Sequence, residues 1–277
     1  MSKIKIKTPT VSVKWLYGNL ELPNLVVLDA SIKKVTNSKN ETKRSLKIPS
    51  ARYFDLKTKF SDVSGAFPNT FSSVEQFEKE ARALGINKES IVVVYDDKGV
   101  YSSPRAWWLF KAFGHHNVVV LDGGLPEWEV NNFETETDYN ITFNAGDFKA
   151  VLDRKLMKFF KDIQDEIETG NSVVIDARSD NRFKGLEPEP RTGLRSGQIP
   201  NAYNLHYMEL LEGNCFKNNQ ELKAIFNKFA AIEKPMIFSC GSGITACVLA
   251  LGAHIVGYNN CSVYDGSWTE WGSLTTE

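Results

Sequence analysis

The sequence lacks long apolar runs, a strong net charge and closely paired cysteines. No stretch of its 277 residues approaches the roughly 20 apolar residues that a membrane-spanning helix requires, so we expect no membrane partner. The formal net charge is only −1, which gives no bulk attraction for nucleic acid. The four cysteines show no CxxC spacing, so we expect no bound metal. The composition is that of an ordinary globular protein, with 42% hydrophobic and 24% charged residues.

The first ten residues also lack the continuous apolar segment of a secretion signal. They read MSKIKIKTPT, in which lysine alternates with apolar residues, and we interpret them as an edge strand or a frayed tail. We therefore expect a cytoplasmic protein. In that reducing compartment the cysteines stay thiols.

Four segments of the first half recur in the second half, in the same order and at a nearly constant offset. The matched pairs are Leu25–Ala30 with Val173–Arg178, Lys47–Ala51 with Gln198–Ala202, Ile91–Asp96 with Pro235–Cys240, and Asn117–Trp128 with Asn260–Trp271. Such a series is hard to produce by chance and predicts a tandem duplication. We place the two domains at residues 1–133 and 147–277, joined by the polar, aperiodic linker 134–146.

Each half alternates short apolar runs with amphipathic stretches. The runs predicted as buried strands are Val26–Leu28, Ile91–Tyr95, Val118–Leu121, Val173–Asp176, Met236–Phe238 and Ser262–Tyr264. The stretches predicted as helices are Ser73–Leu84, Ser103–Phe113, Lys155–Glu168, Asn219–Phe229 and Thr245–His254. Regular alternation of strand and helix favours an α/β fold in which each half has a mainly parallel sheet flanked by helices.

The segment Met236–Ala253 points most directly to chemistry. It reads as a short strand, a turn of sequence CGSGIT that begins at Cys240, and a helix. Backbone N–H groups in such a turn, together with the positive end of the helix dipole, bind anions and favour a thiolate. We therefore predict that Cys240 is a nucleophile, against the alternative of a small buried side chain. Cys215, Cys247 and Cys261 occur without such a loop and are interpreted as structural.

Two other cysteine chemistries fit this loop less well. Cysteine phosphatases hold phosphate with an arginine six residues after the cysteine, and here that position is Ala246. A cysteine hydrolase needs a histidine base. No spacing connects any of the four histidines with Cys240, but such a pairing is spatial and stays open.

A second loop, residues 176–191, concentrates arginines after a predicted strand. Loops at the carboxyl ends of parallel strands share one edge of the sheet, so we expect this loop and the Cys240 loop to be neighbours. Arg182 and Arg191 are then candidates for a fork that binds a carboxylate. The alternative is that they pair with Glu187, Glu189 and Asp180 of the same loop on a solvated surface. Composition alone leaves the two interpretations open.

These features together resemble the two-domain sulfurtransferases, the rhodaneses and the 3-mercaptopyruvate sulfurtransferases. The resemblance covers nearly the whole chain. It rests on the tandem halves, the paired Ile-Pro segments, the DGG and DGS segments with a following tryptophan, and above all the CGSGIT loop. Within the family, a CGSG[VI]T loop is of the mercaptopyruvate type, whereas thiosulfate enzymes carry a more basic loop. Ser242 stands where those enzymes have lysine.

The resemblance implies two tandem rhodanese-like domains, of which only the C-terminal one is catalytic, because Asp96 stands at the position equivalent to Cys240. It implies that the sulfur of 3-mercaptopyruvate moves to Cys240 as a persulfide and then to a thiol such as thioredoxin, or to cyanide, with release of pyruvate. No cofactor and no metal are implied, and we expect a monomer.

We assign roles to individual positions on this basis. The residues that we predict to act in catalysis are Cys240, Ser242 and Thr245. The residues that we predict to bind substrate are Arg182, Arg191, Gly241, Gly243 and Ile244. The two arginines are the family's carboxylate-binding pair, which favours the fork over the solvated surface.

The chain departs from the family pattern at two places in its N-terminal half. Family members often carry a histidine in a P-H-x-L-P-like stretch and an acidic residue in an F-D-[IL]-D segment, both assigned to proton handling. Asn69 and Lys57 occupy these places here, so we carry over neither role. The segment Tyr101–Trp108 matches one that shapes the family's interdomain cleft. Two alternatives stay open: a thiosulfate sulfurtransferase, and a persulfide carrier with low turnover, which the changes at Lys57 and Asn69 suggest.

Overall fold

The structure is a computed structural model that describes residue 6 and residues 8–34 and 46–276. Most of the segment that we interpreted as an edge strand or a frayed tail, residues 1–5 and 7, lies outside this part. Thr10–Val11 forms a strand at the edge of the first sheet. Among the described residues, no helix combines the length and the apolar character that crossing a membrane requires.

The N-terminal half contains a five-stranded parallel sheet. Its strands are β1 (Thr10–Val11), β2 (Leu25–Asp29), β3 (Arg52–Tyr53), β4 (Ile91–Tyr95) and β5 (Val118–Leu121). Their order across the sheet is β1-β5-β4-β2-β3, and every neighbouring pair is parallel. The helices of this half are α1 (Val13–Tyr17), α2 (Val74–Ala83), α3 (Ser103–Ala112) and α4 (Gly124–Val130).

The C-terminal half repeats this arrangement. Its strands are β6 (Met157–Lys158), β7 (Val173–Asp176), β8 (Tyr203–Asn204), β9 (Leu211–Glu212), β10 (Cys215–Phe216), β11 (Met236–Ser239) and β12 (Cys261–Tyr264). Its helices are α5 (Phe160–Thr169), α6 (Asp180–Phe183), α7 (Asn219–Phe226), α8 (Ala246–Ile255) and α9 (Ser267–Leu274), with short 3-10 turns at Arg154–Leu156 and Tyr207–Leu210. The parallel sheet has the order β6-β12-β11-β7-β8, the same as the first sheet position for position, and β9 and β10 form a separate hairpin. The predicted α/β fold with a parallel sheet in each half is confirmed.

Two predicted helices differ from the structure by three or more residues at one end and the other three by one residue, whereas β4, β5 and β7 have the predicted bounds. The helix predicted over Lys155–Glu168 begins only at Phe160, because the two residues of β6 pair with β12 and extend the sheet instead. The helix predicted over Asn219–Phe229 ends at Phe226, where Asn227 is the C-cap. In both places a tertiary contact or a cap overrides helical periodicity in the sequence.

Alternating side chains of the buried strands face two different cores. In β4, Val93 and Tyr95 pack with residues of α1 and α4 on one face of the first sheet. Val92 belongs to a larger core on the other face, which includes residues of both halves. Helices α3 and α8 pack against each other there, and the rings of Trp107 and His254 lie 5.4 Å apart. One continuous apolar core therefore joins the two halves.

The repeated Asp-Gly segments place one aspartate of each half at the interface between the halves. Asp122 accepts a hydrogen bond from the backbone N–H of Phe216 (2.9 Å), and Asp265 accepts one from the N–H of Phe71 (2.8 Å). Asp265 also forms a buried ion pair with Arg105 (2.6 Å). In each half, this aspartate thus accepts a backbone N–H group of the other half. The ion pair between Arg105 and Asp265 adds a buried charge contact between the halves.

The predicted linker, residues 134–146, has no helix or strand beyond an isolated bridge between Glu136 and Lys47. It is fastened to the N-terminal half. Trp128 donates its indole N–H to the carbonyl of Glu134 (2.8 Å), and Tyr139 donates its hydroxyl to Asp29 (3.1 Å). The segment is therefore a packed strap along the first domain, and the domain division at its two ends stays a prediction.

Candidate active site

A cavity of about 360 Å³ lies at the carboxyl edge of the second sheet, and both halves of the chain line it. The loop that follows β11 and the loop that follows β7 form two of its sides, as expected for loops at one edge of a parallel sheet. The residues of these two loops that line it are Ala177, Arg178, Ser179, Arg182, Glu187, Pro190, Arg191, Cys240, Gly241, Ser242, Ile244 and Thr245. The N-terminal half contributes Lys57 and Tyr101, among others. All of the predicted site residues except Gly243 line this one cavity.

The loop that begins at Cys240 is held rigidly by the start of α9. The hydroxyl of Ser267 accepts the N–H groups of Cys240 (3.1 Å) and Gly243 (3.2 Å), while the N–H groups of Trp268 and Thr269 donate to loop carbonyls. Cys240 itself is only 2% exposed and faces the cavity. A buried sulfur on a fixed backbone presents one geometry to a substrate.

Several N–H groups of the loop remain free for an anion. Within the described part of the chain, those of Gly241, Ser242, Ile244, Thr245 and Ala246 donate to no protein acceptor. They surround the sulfur-bearing turn at the start of α8, where the helix dipole adds positive potential. The predicted anion cradle is therefore present, and no acidic side chain of the described residues accepts its N–H groups.

The equivalent loop of the N-terminal half shows what such a cradle holds. The carboxylate of Asp96 accepts backbone N–H groups from Lys98 (2.9 Å), Tyr101 (2.9 Å), Ser102 (3.0 Å) and Ser103 (2.9 Å). The hydroxyl of Ser103 donates to the same carboxylate (2.7 Å). This loop is filled by a side chain of its own chain, so it cannot bind a substrate anion.

Close packing requires glycine at position 243 and favours it at position 241. Gly243 has φ +74°, and a Cβ there would lie 2.8 Å from the carbonyl oxygen of Asp265. A Cβ at Gly241 would lie 3.1 Å from Nη2 of Arg182 and 3.8 Å from Nη1 of Arg191. The absence of a side chain at Gly241 thus lets both guanidinium groups lie against the turn that carries the sulfur.

Thr245 and Ile244 complete the predicted loop set. Thr245 is the N-cap of α8, is half-buried, and its hydroxyl makes no hydrogen bond to any described residue. Ile244 is buried, belongs to the large shared core and forms an apolar part of the cavity wall. The first can offer a hydroxyl to a ligand, whereas the second can offer only apolar contact.

The cysteines interpreted as structural have thiols with raised pKa values. Cys247 donates its thiol to the carbonyl of Gly243 (3.3 Å), and burial raises its pKa to about 12. Burial likewise raises the pKa of Cys215 and of Cys261 to about 12. Thiols of this kind are poor nucleophiles at neutral pH.

None of the four histidines, all of which the structure describes, makes a hydrogen bond to Cys240. His206 lines the cavity without such a bond. His115 and His254 are held by backbone carbonyls elsewhere, that of Ser90 for the former. The arrangement therefore does not favour the cysteine hydrolase that the sequence left open.

Arg182 is fixed by an acidic residue of its own loop, but in a buried setting. Its Nε and Nη2 donate to Glu189 at 3.2 and 2.5 Å, and the side chain of Glu189 is fully buried. Glu189 also binds Arg178, which in turn pairs with Asp176. The four charges alternate along a chain and balance one another. The partner anticipated by the surface interpretation is thus correct, and the solvated environment is not.

Arg191 carries the charge that this network does not balance. Its Nη2 donates to the hydroxyl of Ser242 (3.0 Å), and it has no ion-pair partner among the described residues. Burial and the neighbouring charge of Arg182 lower the pKa of Arg191. A half-buried guanidinium without a counter-ion, next to the cysteine loop, is a strong binding group for an anionic ligand.

The sequence did not reveal how the N-terminal half reaches this loop. Lys57 donates to Oδ1 of Asn69 (2.8 Å), and the amide nitrogen of Asn69 donates to the hydroxyl of Ser242 (2.9 Å) and to its carbonyl (3.1 Å). Arg105 donates to the backbone carbonyl of Asn69 (3.0 Å) and fixes its place. The departures at Lys57 and Asn69 marked these positions, but no pattern in the sequence showed that they bind the loop.

Comparison with known proteins agrees with this geometry. A model of the rhodanese-like domain matches the chain twice, over residues 12–131 and 160–274. The chain belongs to the rhodanese family. Each match covers four of the five strands of one parallel sheet, so both halves are rhodanese domains, and Cys240 lies in the second.

Relatives of similar length are sulfurtransferases by name. Human 3-mercaptopyruvate sulfurtransferase is 37% identical over 94% of this chain and 91% of its own length. Thiosulfate/3-mercaptopyruvate sulfurtransferase 1, a mitochondrial protein of Arabidopsis thaliana, is 36% identical over 98% of this chain and 77% of its own. The crystal structure of the Escherichia coli 3-mercaptopyruvate sulfotransferase SseA superposes with a TM-score of 0.84, at 31% identity, over 95% of this chain and 99% of that one.

Proposed function

We propose that this rhodanese-family chain is a sulfurtransferase that takes sulfur from 3-mercaptopyruvate onto Cys240 and passes it to a thiol, with release of pyruvate. The observation that carries the proposal is the cavity in which a buried cysteine, unoccupied loop N–H groups and the uncompensated charge of Arg191 meet. Sulfur transfer needs these three elements: a nucleophile, a cradle for the transferred atom and a binding group for the donor's charge.

The donor binds through its carboxylate. Arg191 attracts it with its free charge, and Arg182, oriented by Glu189, completes the fork. The mercapto group then points toward Cys240. The thiolate attacks the donor sulfur, an S–S bond forms, and the C–S bond breaks with its electron pair going to pyruvate as the enolate, which takes up a proton.

Asp96 indicates where the transferred sulfur lies. An aspartate oxygen is two bonds beyond Cβ, and so is the outer sulfur of a cysteine persulfide. The N–H groups of Tyr101 and Ser102, which bind Asp96, correspond in the repeat to those of Thr245 and Ala246. We infer that these N–H groups hold the outer sulfur of the Cys240 persulfide as an anion.

The sulfur then leaves to a thiol acceptor, for which a small dithiol protein such as thioredoxin is our candidate, or to cyanide in the test tube. The chemistry uses side chains and backbone groups of the chain and requires no metal or organic cofactor. A reducing compartment, the cytoplasm by our interpretation, keeps Cys240 a thiol. A monomer suffices, because both halves of one chain line the cavity.

Two donors measured on one preparation test the proposal. Pyruvate release from 3-mercaptopyruvate, with a dithiol acceptor, is compared with thiocyanate formation from thiosulfate and cyanide. We expect kcat/KM to be at least about tenfold higher for 3-mercaptopyruvate, because Ser242 supplies no charge for a dianion. A preference for thiosulfate would assign the alternative donor, and a persulfide that forms but does not discharge would assign the low-turnover carrier.

The arginine fork gives a sharper prediction. Arg191→Gln and Arg182→Gln should each raise KM for 3-mercaptopyruvate by about 10- to 100-fold, since a charge-assisted hydrogen bond contributes about 1.5–3 kcal/mol. The matched control is Lys184→Gln, which removes an exposed positive charge of the same loop that pairs with Asp180. The control should leave KM unchanged. Equal effects at all three positions would mean that general electrostatic attraction, and not a fork, binds the donor.

A further inference from the structure

The hydroxyl of Ser242 is surrounded by hydrogen-bond donors. Nδ2 of Asn69 lies 2.9 Å from it and Nη2 of Arg191 lies 3.0 Å from it. The side chain is buried at the wall of the cavity, and its oxygen donates to no acceptor in the described part of the chain. The direction of these hydrogen bonds decides what Ser242 can do.

The orientation of the Asn69 amide is fixed from both ends. On one side, the ammonium of Lys57 can only donate, so the atom 2.8 Å from it must be the amide oxygen. On the other side, the amide nitrogen lies 3.1 Å from the backbone carbonyl of Ser242, which can only accept. A flipped amide would place two donors together at one end and two acceptors at the other. Asn69 is therefore a donor to Ser242.

A serine hydroxyl has two lone pairs and one proton. The amide of Asn69 and the guanidinium of Arg191, which cannot accept, occupy both lone pairs of Ser242. The proton must then point to a partner that the protein does not supply, and the remaining open direction is the cavity. We propose that Lys57 and Asn69 are positioning residues that, together with Arg191, fix Ser242 as an obligate hydrogen-bond donor to the sulfur donor substrate.

This inference deepens the proposed function and rests on it. When the C–S bond of 3-mercaptopyruvate breaks, negative charge develops on the keto oxygen of the departing enolate. A hydroxyl already aimed into the cavity stabilises that charge without reorganisation. A histidine with an acidic partner would instead accept the serine's proton. An amide nitrogen that donates cannot do so, so Lys57 and Asn69 do not form a proton relay.

The geometry is held from outside the cavity. Asn69 adopts a left-handed conformation (φ +62°), which asparagine tolerates, and its carbonyl accepts a hydrogen bond from the buried guanidinium of Arg105. Lys57 has no ion-pair partner among the described residues. Burial and the charge of Arg191 lower the pKa of Lys57. The amino group of Lys57 therefore contacts the amide oxygen of Asn69 and no carboxylate in the described part of the chain.

The decisive variant is Asn69→Asp, which keeps the shape of the side chain but replaces the donor by an acceptor. The carboxylate pairs with Lys57 and accepts the proton of Ser242, which turns the hydroxyl away from the cavity. We expect kcat for pyruvate release to fall about 100- to 1,000-fold, the range for loss of a hydrogen-bond donor to a developing oxyanion, with KM changed less than kcat. Lys57→Met should also lower kcat. Lys57→Arg, which still donates to the amide oxygen of Asn69, should retain most of the wild-type kcat.

A double-variant cycle separates positioning from a structural effect. If Asn69 acts through Ser242, then Asn69→Asp in a Ser242→Ala background lowers kcat no further, whereas a merely structural defect multiplies the two losses. Asn132→Asp is the matched control, because Asn132 is also left-handed (φ +56°) but exposed and far from the cavity in sequence and fold. It should leave kcat unchanged.

The outcomes distinguish this inference from the proposed function. A wild-type protein active on 3-mercaptopyruvate, with an unaffected Asn69→Asp variant or with multiplying losses in the cycle, overturns the inference alone. A wild-type protein inactive on 3-mercaptopyruvate overturns the proposed function and the inference with it. A tenfold or larger loss at Asn69→Asp that vanishes in the Ser242→Ala background supports both.

Discussion

Replacing Cys240 with serine should abolish pyruvate release, with turnover reduced at least about a thousandfold. The reason is chemical rather than structural. Serine fits the same buried site and keeps the loop's hydrogen bonds to Ser267, but an alcohol at neutral pH is not a nucleophile toward sulfur and cannot carry a sulfane atom. The measurement is steady-state pyruvate release from 3-mercaptopyruvate with a dithiol acceptor.

Mass spectrometry should locate the same event. Incubation of the wild-type protein with donor and without acceptor should add about 32 Da, one sulfur atom, on the peptide that contains Cys240, and a dithiol should remove it. Cys261→Ser is the matched control, since Cys261 is also buried but its thiol is held by the carbonyl of Tyr258 away from the cavity. Substantial turnover in Cys240→Ser, or an adduct on another cysteine, would contradict the assignment.

The two halves of the chain differ in the side chain that meets the loop N–H groups. Both build the same strand, turn and helix, and both turns direct backbone N–H groups inward. In the first half these groups are satisfied by Asp96, a permanent anion from the chain itself. In the second half the side chain at this position is Cys240, and loop N–H groups, such as those of Thr245 and Ala246, donate to no acceptor in the described part of the chain. This difference in the repeat decides which half presents a thiol to the cavity.

The fold and the core of the site could be predicted from the sequence because their signals are local. The apolar run Ile91–Tyr95 sets a buried strand by its composition alone, and the glycines of the CGSGIT loop mark a turn before a helix. The loops of Cys240 and Arg182 follow strands of one parallel sheet and therefore meet at its carboxyl edge. This neighbourhood could be predicted from the topology, without any side-chain contact.

What escaped prediction depends on contacts between distant residues. Lys57 and Asn69 are twelve residues apart, and Ser242 lies in the other half, so no periodicity or spacing connects them. Helix α5 was predicted too long because Met157 and Lys158, which the prediction placed in the helix, form β6 and pair with β12. Local propensity does not record such a sheet contact. Arg182 was predicted to be either a binding group or a partner of nearby acids, and it lines the cavity while it is paired with Glu189. Such dual use is visible only in three dimensions.

Breaking the ion pair between Arg105 and Asp265 should destabilise the folded chain strongly. The two side chains are 1% and 3% exposed, and they join the N-terminal half to the C-terminal half at 2.6 Å. Arg105→Met leaves the carboxylate of Asp265 buried without its counter-ion. Removing one partner of a buried pair costs about 3–5 kcal/mol, which we expect as the fall in the free energy of unfolding measured by urea titration.

The effect should also reach the active site. Arg105 donates to the carbonyl of Asn69, whose amide holds Ser242, so Arg105→Met should lower kcat even at temperatures where the variant is fully folded. Lys161→Gln, which breaks an exposed pair with Asp165, is the control and should change neither quantity.

A second substitution tests whether charge is the cause. The double variant Arg105→Met with Asp265→Asn removes both charges, while an asparagine oxygen at position 265 can still accept the N–H of Phe71. Because the cost of a broken buried pair comes mainly from the charge left behind, the double variant should be more stable than Arg105→Met alone. It should remain slow in turnover, since no donor replaces the guanidinium at Asn69. Asp265→Asn alone completes the cycle. If the losses of stability in the two single variants simply added up to the loss in the double variant, the two side chains would stabilise the interface by packing and not by their charges.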